Sequence, residues 1–132
     1  MANVGIVIVS HSSQLAAGVA ELISQTKKND VMVIPAGGTE DDEIGTSAEK
    51  VQKAIKEADA GAGVIILFDL GSAFMNTELA IELLGDENIE TAIADAPIVE
   101  GSYIAAVESG MGKSLSDVKK AAERAKSWSK KN

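Results

Sequence analysis

Residues 5–13 read Gly5-Ile6-Val7-Ile8-Val9-Ser10-His11-Ser12-Ser13, an apolar run that ends abruptly in four polar residues. The apolar part is rich in β-branched side chains, and neither set of alternate residues contains a polar one. This is typical of a strand that is covered on both faces in a parallel sheet. Serine is a favoured helix N-cap. The segment therefore predicts a strand, a short polar turn and a helix that begins at Ser12 or Ser13.

The rest of the chain repeats this alternation of strand and helix. Apolar runs at residues 31–34 and 64–68 predict two more buried strands, and residues 90–94 predict a weaker fourth one. Apolar residues recur at helical spacing in five other segments. Those expected to face the core are Leu15, Val19, Leu22 and Ile23; Ala48, Val51, Ala54, Ile55 and Ala58; Met75, Leu79, Ala80, Leu83 and Leu84; Ile104, Val107 and Met111; and Leu115, Val118, Ala122 and Ala125.

The order β-α-β-α-β-α-β-α-α predicts an α/β fold, with a parallel sheet between two layers that together hold about five helices. We expect a single domain over residues 1–132. Periodicity leaves two strand orders open, the flavodoxin-like order 2-1-3-4 and the Rossmann order 3-2-1-4. In either case ligands bind outside the carboxyl ends of the strands, so the segments that follow the strands are the ones to inspect.

Polar residues at helix ends refine this prediction. Thr46 with Glu49 forms a capping box that predicts the start of the second helix, and Ser114 with Asp117 predicts the start of the last one. The C-terminal segment, residues 126–132, is polar and lysine-rich, and we expect it to fray.

Composition excludes several classes of function. The 132 residues include no cysteine and a single histidine, which rules out disulfides and thiolate metal sites and argues against any metal. The net charge of −8 makes nucleic acids and anionic membranes unsuitable partners. The acidic stretch at residues 40–43 lacks the spacing of an EF-hand and predicts a solvated loop.

No apolar run reaches the ~18 residues of a membrane span and no signal peptide is evident, so we expect a cytoplasmic protein.

His11, the only histidine, lies at the carboxyl end of the first predicted strand. One interpretation is a polar loop residue or a hydrogen-bonded structural histidine. The other is catalytic, because a cap at Ser12 or Ser13 would place the imidazole just outside a helix N-terminus, where free N–H groups bind anions. A neutral ring nitrogen is a nucleophile, and those N–H groups would hold a phosphoryl group attached to it.

A reactive imidazole needs a partner that fixes its proton on one nitrogen. Two carboxylates follow predicted strands and compete for that role, Asp69 and Asp95. In the order 2-1-3-4 the third strand neighbours the first and Asp69 is the partner, whereas in the order 3-2-1-4 it is Asp95. Each of them can equally well be a simple cap of the following turn.

Two glycine-containing segments could contribute phosphoryl contacts, Gly71-Ser72 after the third strand and Gly38-Thr39 after the second. Both could offer N–H groups or hydroxyls, although glycines also simply permit turns. Neither segment matches a dinucleotide-binding or P-loop motif. We therefore expect no built-in nucleotide site and no cofactor.

Five segments, in this order and spacing, resemble the phosphotransfer subunit of phosphoenolpyruvate-dependent dihydroxyacetone kinases. More distantly, the chain is similar to the enzyme IIA domain of the mannose class of the bacterial sugar phosphotransferase system. The segments span nearly the whole chain and lie at residues 7–13, 35–39, 44–51, 69–73 and 96–101.

The resemblance implies a flavodoxin-like sheet of order 2-1-3-4 and a homodimer. It implies that His11 accepts a phosphoryl group on Nε2 from the histidine phosphocarrier protein, with Asp69 hydrogen-bonded to the other ring nitrogen. The phosphoryl group then passes to ADP on the nucleotide-binding kinase subunit, and the resulting ATP phosphorylates dihydroxyacetone. Ser12, Ser13, Gly38, Thr39, Gly71 and Ser72 are the expected phosphoryl-binding residues.

Members of this family differ in length and at the C-terminus. Some carry fused phosphocarrier domains, for which 132 residues leave no room, so we expect the phosphocarrier to be a separate protein. Mannose-class relatives exchange a C-terminal strand between protomers. Residues 114–128 read as helix, which argues against that exchange in this chain.

Two other functions remain as alternatives. The first is an aspartyl-phosphate receiver with Asp69 as acceptor, but such domains use an acidic pair near the first strand to hold magnesium, and this chain has Ser10-His11 there. The second is a non-catalytic binding module of flavodoxin-like fold.

Overall fold

The computed structural model describes residues 2–28 and 30–131. The predicted order of strands and helices is confirmed, and the C-terminal helix continues into a short 3₁₀ turn. The strands are β1 (Gly5–Ser10), β2 (Val33–Gly37), β3 (Val64–Phe68) and β4 (Thr91–Ile93). The helices are α1 (Ser13–Ser24), α2 (Ala48–Ala58), α3 (Gly71–Leu83), α4 (Ile98–Gly110) and α5 (Leu115–Glu123), and the 3₁₀ turn is Arg124–Ser127.

The four strands form one parallel sheet in the order β2-β1-β3-β4, which confirms the three-layer α/β fold with strand order 2-1-3-4. β1 lies between β2 and β3, and all six of its residues are buried. The register aligns Ser10 with Gly37 and Val9 with Phe68. The carboxyl ends of these three strands therefore meet at one edge of the sheet, with the end of β1 in the middle.

The two faces of β1 pack against different helices, as its apolar residues at both parities predict. Ile6 and Ile8 belong to a core that includes residues of α1, α4 and α5, and Val7 and Val9 belong to one that includes residues of α2 and α3. Burial of this kind stabilises the fold by about 25 cal/mol per Å² of apolar surface removed from water. The sheet is thus covered on both faces, and β1 is rigidly held up to the residue before His11.

The end of β2 approaches the first turn of α1 very closely. A Cβ added to Gly37 would lie 2.5 Å from the carbonyl oxygen of Ser12 and 2.8 Å from the Cα of Ser13, so only glycine fits there. The next residue, Gly38, has a φ of 76°, a conformation that favours glycine. Together they turn the chain sharply and place the following loop beside the end of β1.

Three of the five predicted helix faces are wrong in part. On α1, Leu15 and Leu22 are exposed. On α3 and α4 the buried face consists mostly of small residues, and the larger apolar side chains point outward. The buried residues are Ala73, Thr77 and Ala80 on α3 and Gly101, Ser102, Ala105, Ala106 and Ser109 on α4. The exposed ones include Met75, Leu79 and Leu83 on α3 and Val107 and Met111 on α4. Large apolar side chains lie on more than one side of both helices, so the periodicity does not single out one face.

The predicted cap of α5 is confirmed, since the Ser114 hydroxyl accepts from the N–H of Asp117. The predicted cap of α2 is off by one residue, because Ser47 accepts from the N–H of Lys50. The Thr46 hydroxyl is occupied instead by a hydrogen bond from the side chain of Asn76 on α3.

Of the segment that we expect to fray, residues 126 and 127 belong to the 3₁₀ turn, residues 128–131 are exposed and form no helix or strand, and residue 132 lies outside the described residues. Residues 124–127 form the 3₁₀ turn, and the Lys130 ammonium lies 2.6 Å from the Glu100 carboxylate on α4. The Lys130 ammonium holds the pKa of Glu100 below its usual value. Within the described residues, no helix has both the length and the apolar character needed to cross a bilayer.

Candidate functional site

The turn between β1 and α1 holds His11 at the carboxyl edge of the sheet. Ser12 is the N-cap of α1, and its hydroxyl accepts from the N–H of Leu15 at 3.1 Å. The N–H of Ser12 in turn donates to the hydroxyl of Ser10 at 3.0 Å. These local bonds fix the backbone on both sides of His11, so the position of the imidazole follows from the strand and the helix that flank it.

Asp69, at the end of β3, is bonded to both the backbone and the ring of His11. Its Oδ1 lies 2.9 Å from the ring Nδ1, and its Oδ2 accepts from the backbone N–H of His11 at 3.0 Å. The Ser10 hydroxyl donates to Oδ2 at 2.8 Å, and the N–H of Leu70 donates to Oδ1 at 2.7 Å. The carboxylate thus accepts four hydrogen bonds and holds the ring in one orientation.

The electrostatics of this site favour an ionised Asp69. Partial burial by itself would raise the pKa of the carboxyl group, but the hydrogen bonds from the ring and backbone of His11, from Ser10 and from Leu70 outweigh that effect and lower the pKa below its ordinary value. Asp69 is therefore a carboxylate at neutral pH, and it can only accept hydrogen bonds.

An acceptor at Nδ1 determines where the ring proton lies. Because Asp69 accepts from Nδ1, the neutral imidazole carries its proton on Nδ1 and has its lone pair on Nε2. Nε2 lies 2.6 Å from the hydroxyl oxygen of Ser72, which donates to that lone pair. A carboxylate, an imidazole and a hydroxyl are thus hydrogen-bonded in a row. Nε2 is the nucleophilic nitrogen of this arrangement. It lies at the open side of the site, and the His11 side chain is 22% exposed.

The first turn of α3 brings backbone donors to the same place. Ser72 is the second residue of this helix, and the N-cap residue Leu70 has no side-chain oxygen to accept from the first N–H groups. The N–H groups of Gly71 and Ser72 have no intrahelical acceptor, as at every helix start, and the positive end of the helix dipole lies there. The structure thus brings four predicted residues together: His11, Asp69, Gly71 and Ser72.

The other predicted residues occupy different positions. Ser12 acts as a cap, and Ser13 opens α1. The N–H of Gly38 donates to the Ser10 carbonyl, and the N–H of Thr39 donates to the Glu43 carbonyl, so both are used within the loop after β2. Asp95 lies away from His11: its side chain is 79% exposed and pairs with Lys126. It is therefore Asp69 that contacts His11.

Reasoning from the sequence missed three residues of the site. Ser10 is fully buried and donates to Asp69, and the only signal for it is a polar residue at the end of an apolar strand. The N–H of Gly45 donates to the His11 carbonyl at 2.8 Å. Asn76 ties the same loop to α3 through Thr46. No local pattern predicts these last two contacts, because each joins segments distant in the chain.

Known proteins resemble this chain in sequence and in fold over most of its length. The EIIA-man family, described as "PTS system fructose IIA component", matches residues 5–119. A phosphoryl donor subunit DhaM of PEP-dependent dihydroxyacetone kinase 2 from Listeria innocua is 40% identical over 107 residues, which cover 80% of this chain and 86% of that protein.

Two further proteins show a similar extent of likeness. The phosphotransferase subunit DhaM of a PTS-dependent dihydroxyacetone kinase from Lactococcus lactis is 39% identical over 91% of this chain and 94% of its own length. The crystal structure of EF1359, a protein of unknown function, superimposes with a TM-score of 0.84 and 32% identity, over 96% of this chain and 99% of EF1359. The match to the family extends over most of the chain, and we conclude that the chain belongs to the EIIA-man family of PTS system IIA components.

Proposed function

We propose that this protein is a phosphohistidine relay in a phosphoenolpyruvate-dependent dihydroxyacetone kinase system. His11 accepts a phosphoryl group on Nε2 from the histidine phosphocarrier protein. It then passes the group to ADP bound on the nucleotide-binding kinase subunit, and so supports the phosphorylation of dihydroxyacetone. We further propose that the protein works in the cytoplasm as a homodimer.

The observation that carries this proposal is the alignment of Asp69, His11 and Ser72. Asp69 holds the proton on Nδ1, which leaves Nε2 as the nucleophile. The hydroxyl oxygen of Ser72 lies next to Nε2, at a place that an oxygen of the transferred phosphoryl group would occupy. The relatives from Listeria innocua and Lactococcus lactis are a phosphoryl donor subunit and a phosphotransferase subunit, which supports the same assignment.

The transfer step exchanges the N–P bond of the donor for a new N–P bond on His11. Nε2 of His11 attacks phosphorus in line with the leaving nitrogen of the donor, from about 3–3.5 Å. The N–P bond of the donor breaks, its nitrogen keeps the electron pair and takes up a proton, and a new N–P bond forms to Nε2. The ring of His11 becomes positively charged in this step. Asp69 stabilises that charge through the Nδ1 proton, which can afterwards be released.

Donors at the start of α3 stabilise the phosphoryl oxygens in this proposal. They are the Ser72 hydroxyl and the N–H groups of Gly71 and Ser72, together with Ser13 at the start of α1. A preorganised donor of this kind contributes about 2.7–4 kcal/mol to transition-state stabilisation in oxyanion holes. The cap Ser12 acts indirectly, because it fixes α1. Gly38 and Thr39 shape the rim, since their N–H groups already have acceptors.

An aspartyl-phosphate receiver fits the geometry less well. Both oxygens of Asp69 already accept hydrogen bonds from Ser10, His11 and Leu70, and the side chain is only 12% exposed. An acceptor carboxylate must present one oxygen to the incoming phosphorus. Nε2 accepts a single hydrogen bond, from the Ser72 hydroxyl, at the open side of the site, so it meets that requirement more readily than the carboxylate does.

A labelling assay tests the proposal. We expect the wild-type protein, incubated with phosphoenolpyruvate, enzyme I and the phosphocarrier, to take up one phosphoryl group that is stable in base and labile in acid. His11→Ala should abolish uptake and leave the far-UV circular dichroism spectrum unchanged, because the ring is partly exposed. Uptake by His11→Ala at the wild-type level, or a base-labile bond in the wild type, would contradict the assignment.

A further inference from the structure

The loop after β2, residues 38–46, is bonded to the backbone of His11. We call it the acidic loop, because residues 40–43 are all Glu or Asp. The N–H of Gly45 in this loop donates to the His11 carbonyl at 2.8 Å, and the His11 N–H donates to Asp69. The acidic loop therefore holds the one backbone polar group of His11 that Asp69 does not hold, and the position of the imidazole depends on both.

The internal bonds of the acidic loop do not fix where it lies relative to His11. The N–H of Thr39 donates to the Glu43 carbonyl at 2.9 Å, and the N–H of Asp42 donates to the Thr39 carbonyl at 2.9 Å. These bonds make the loop compact, but they join it only to itself. Four consecutive carboxylates also repel one another. A contact from outside the loop has to keep it in place.

Lys50 provides such a contact. Its ammonium group donates to the Gly37 carbonyl at 3.0 Å and lies 2.6 Å from the Asp42 carboxylate. Gly37 ends β2, and Lys50 itself belongs to the first turn of α2. One cation thus joins the end of β2, the middle of the acidic loop and the start of α2. Among the ion pairs of the described residues, only this one involves the acidic loop.

The position of Lys50 in α2 is unfavourable by local rules. Ser47 caps the helix, so Lys50 is its third residue and lies at the positive end of the helix dipole, where a cation is destabilised. The side chain is also only 29% exposed, so the ammonium group loses part of its hydration. The acceptors on Gly37 and Asp42 offset both effects. What Lys50 contributes is therefore found in its bonds to the acidic loop and to the strand before it.

Lys50 acts at a distance from the reacting atoms. It lines a groove between α1 and α2 beside β2, and none of His11, Asp69 and Ser72 lines that groove. Both hydrogen-bond acceptors of its ammonium group belong to Gly37 and Asp42. Any effect of Lys50 on the imidazole thus passes through the acidic loop and the bond between Gly45 and His11.

We infer that Lys50 is a positioning residue for phosphoryl transfer, because it holds the acidic loop against the backbone of His11 and so keeps Nε2 where it attacks phosphorus. This inference rests on the proposed function. In-line transfer depends steeply on geometry, and a nucleophile misplaced by about 1 Å loses on the order of 100-fold in rate. Without Lys50, repulsion among the carboxylates moves the acidic loop outward and weakens its bond to His11.

Two substitutions of Lys50 and a matched control test the inference. Lys50→Met keeps the length of the side chain and removes both bonds, whereas Lys50→Arg keeps the charge and the donors. Lys53→Met removes another lysine of α2 that lines the same groove and makes no such bond among the described residues. The measured quantities are kcat and KM for phosphorylation by the histidine phosphocarrier protein. The rate with phosphoramidate, a small donor that phosphorylates imidazole and releases ammonia, is measured as well.

We expect Lys50→Met to lower kcat about 10-fold and to leave KM within about twofold, because the nucleophile is misplaced while the partner still binds. Phosphoramidate should show the same loss, since it needs no docking surface. Lys50→Arg should stay within about threefold of the wild type and Lys53→Met within about twofold. Wild-type rates for Lys50→Met, or a loss confined to KM, would overturn the inference.

Two further measurements follow the acidic loop and the ring without any phosphoryl donor. Hydrogen exchange at the Gly45 amide should be about 10-fold faster in Lys50→Met and unchanged in Lys53→Met, because the bond to His11 opens more often. His11 is the only histidine, so its ring ¹⁵N signals are unambiguous, and Lys50→Met should reduce the fraction protonated on Nδ1. Slower transfer with both signals unchanged would mean that Lys50 acts in another way, and the inference would fail.

The outcome is distinguishable from a defect in folding and from failure of the proposed function. Circular dichroism should be the same for all variants. If Lys50→Met does not fold, Lys50→Gln keeps one donor on a shorter side chain and should lower kcat about threefold with faster exchange at Gly45. Wild-type behaviour of that variant would equally overturn the inference. A wild type that neither donor labels would refute the proposed function, whereas exchange at Gly45 tests the role of Lys50 in either case.

Discussion

Asp69 connects three functions at the scale of single residues: it orients the ring, determines which nitrogen carries the proton and joins β3 to the turn after β1. It does so by accepting four hydrogen bonds from Ser10, His11 and Leu70. A partly buried carboxylate with this many donors is replaced poorly by any neutral side chain, because each donor left without an acceptor costs free energy.

Asp69→Asn should slow phosphoryl transfer by a factor on the order of 10²–10⁴. The asparagine amide has a single oxygen, and its NH₂ group would donate to Nδ1, which forces the ring proton onto Nε2 and removes the nucleophilic lone pair. Single-turnover phosphorylation by the phosphocarrier measures the effect. A rate equal to that of the wild type would remove Asp69 from the mechanism.

Ser72→Ala should slow transfer by about 10- to 100-fold, because the hydroxyl donates to a charged phosphoryl oxygen and such a bond contributes about 1.5–3 kcal/mol. The uptake assay with a rapid quench measures the loss. Ser72→Thr keeps the hydroxyl at the same position of the helix and should recover most of the rate. If the alanine and threonine variants behave alike, the hydroxyl has no part in transfer.

At the scale of elements, α4 shows why small residues line the buried faces of α3 and α4. Gly101, Ser102, Ala105 and Ser109 let α4 pack closely on the sheet, and two of them are fully buried serines with different surroundings. The Ser109 hydroxyl donates to the carbonyl of Val4. The Ser102 hydroxyl has no hydrogen-bond partner among the described residues.

These two serines predict opposite effects on stability. Ser102→Ala should raise the free energy of unfolding by about 1 kcal/mol, because alanine removes an unsatisfied buried hydroxyl and is the better helix former. Ser109→Ala should lower it by about 1 kcal/mol, since a buried hydrogen bond is lost. Urea denaturation of both variants measures the difference. If both substitutions change the free energy of unfolding in the same direction, the hydrogen bonding of the two hydroxyls does not determine their effect on stability.

At the scale of the whole molecule, the acidic charge affects both stability and recognition. The net charge of −8 is unevenly distributed along the chain, and the lysines that do lie near acidic segments form ion pairs, such as Lys130 with Glu100 and Lys126 with Asp95. These pairs are exposed and contribute little to stability. Both pairs join a lysine of the C-terminal segment to an acidic residue earlier in the domain.

Global stability should depend on pH through Asp69. Its pKa in the folded protein lies below the ordinary value of 3.8, so its ionisation contributes stability that is fully present above that value and is lost as the pH falls through the folded pKa. Wild type should therefore be more stable than Asp69→Asn at neutral pH, and the difference should shrink below about pH 4. Urea unfolding from pH 7 to pH 3 measures it. A difference that stays constant over this range would contradict the assignment.

Much of the fold and part of the site follow from the sequence alone. The apolar runs at both parities predict the strands of a covered parallel sheet, and the single histidine at the end of the first run predicts where chemistry is possible. The Ser114 cap of α5 follows from residues within one turn of each other. These features are predictable because hydrogen bonding, capping and burial within a segment depend on residues close together in the chain.

The tertiary structure decides which groups meet, since the pattern of strands and helices leaves this open and the family resemblance only implies it. The strand order placed Asp69, and not Asp95, beside His11, since the neighbour of β1 is chosen by packing between segments some 60 residues apart. The packing of α3 against the sheet also positions the Ser72 hydroxyl next to Nε2 of His11. It leaves the larger apolar side chains of α3 exposed. A helix with apolar side chains on more than one side can bury any of those sides, and contacts with the sheet, rather than its own periodicity, select the one that is buried.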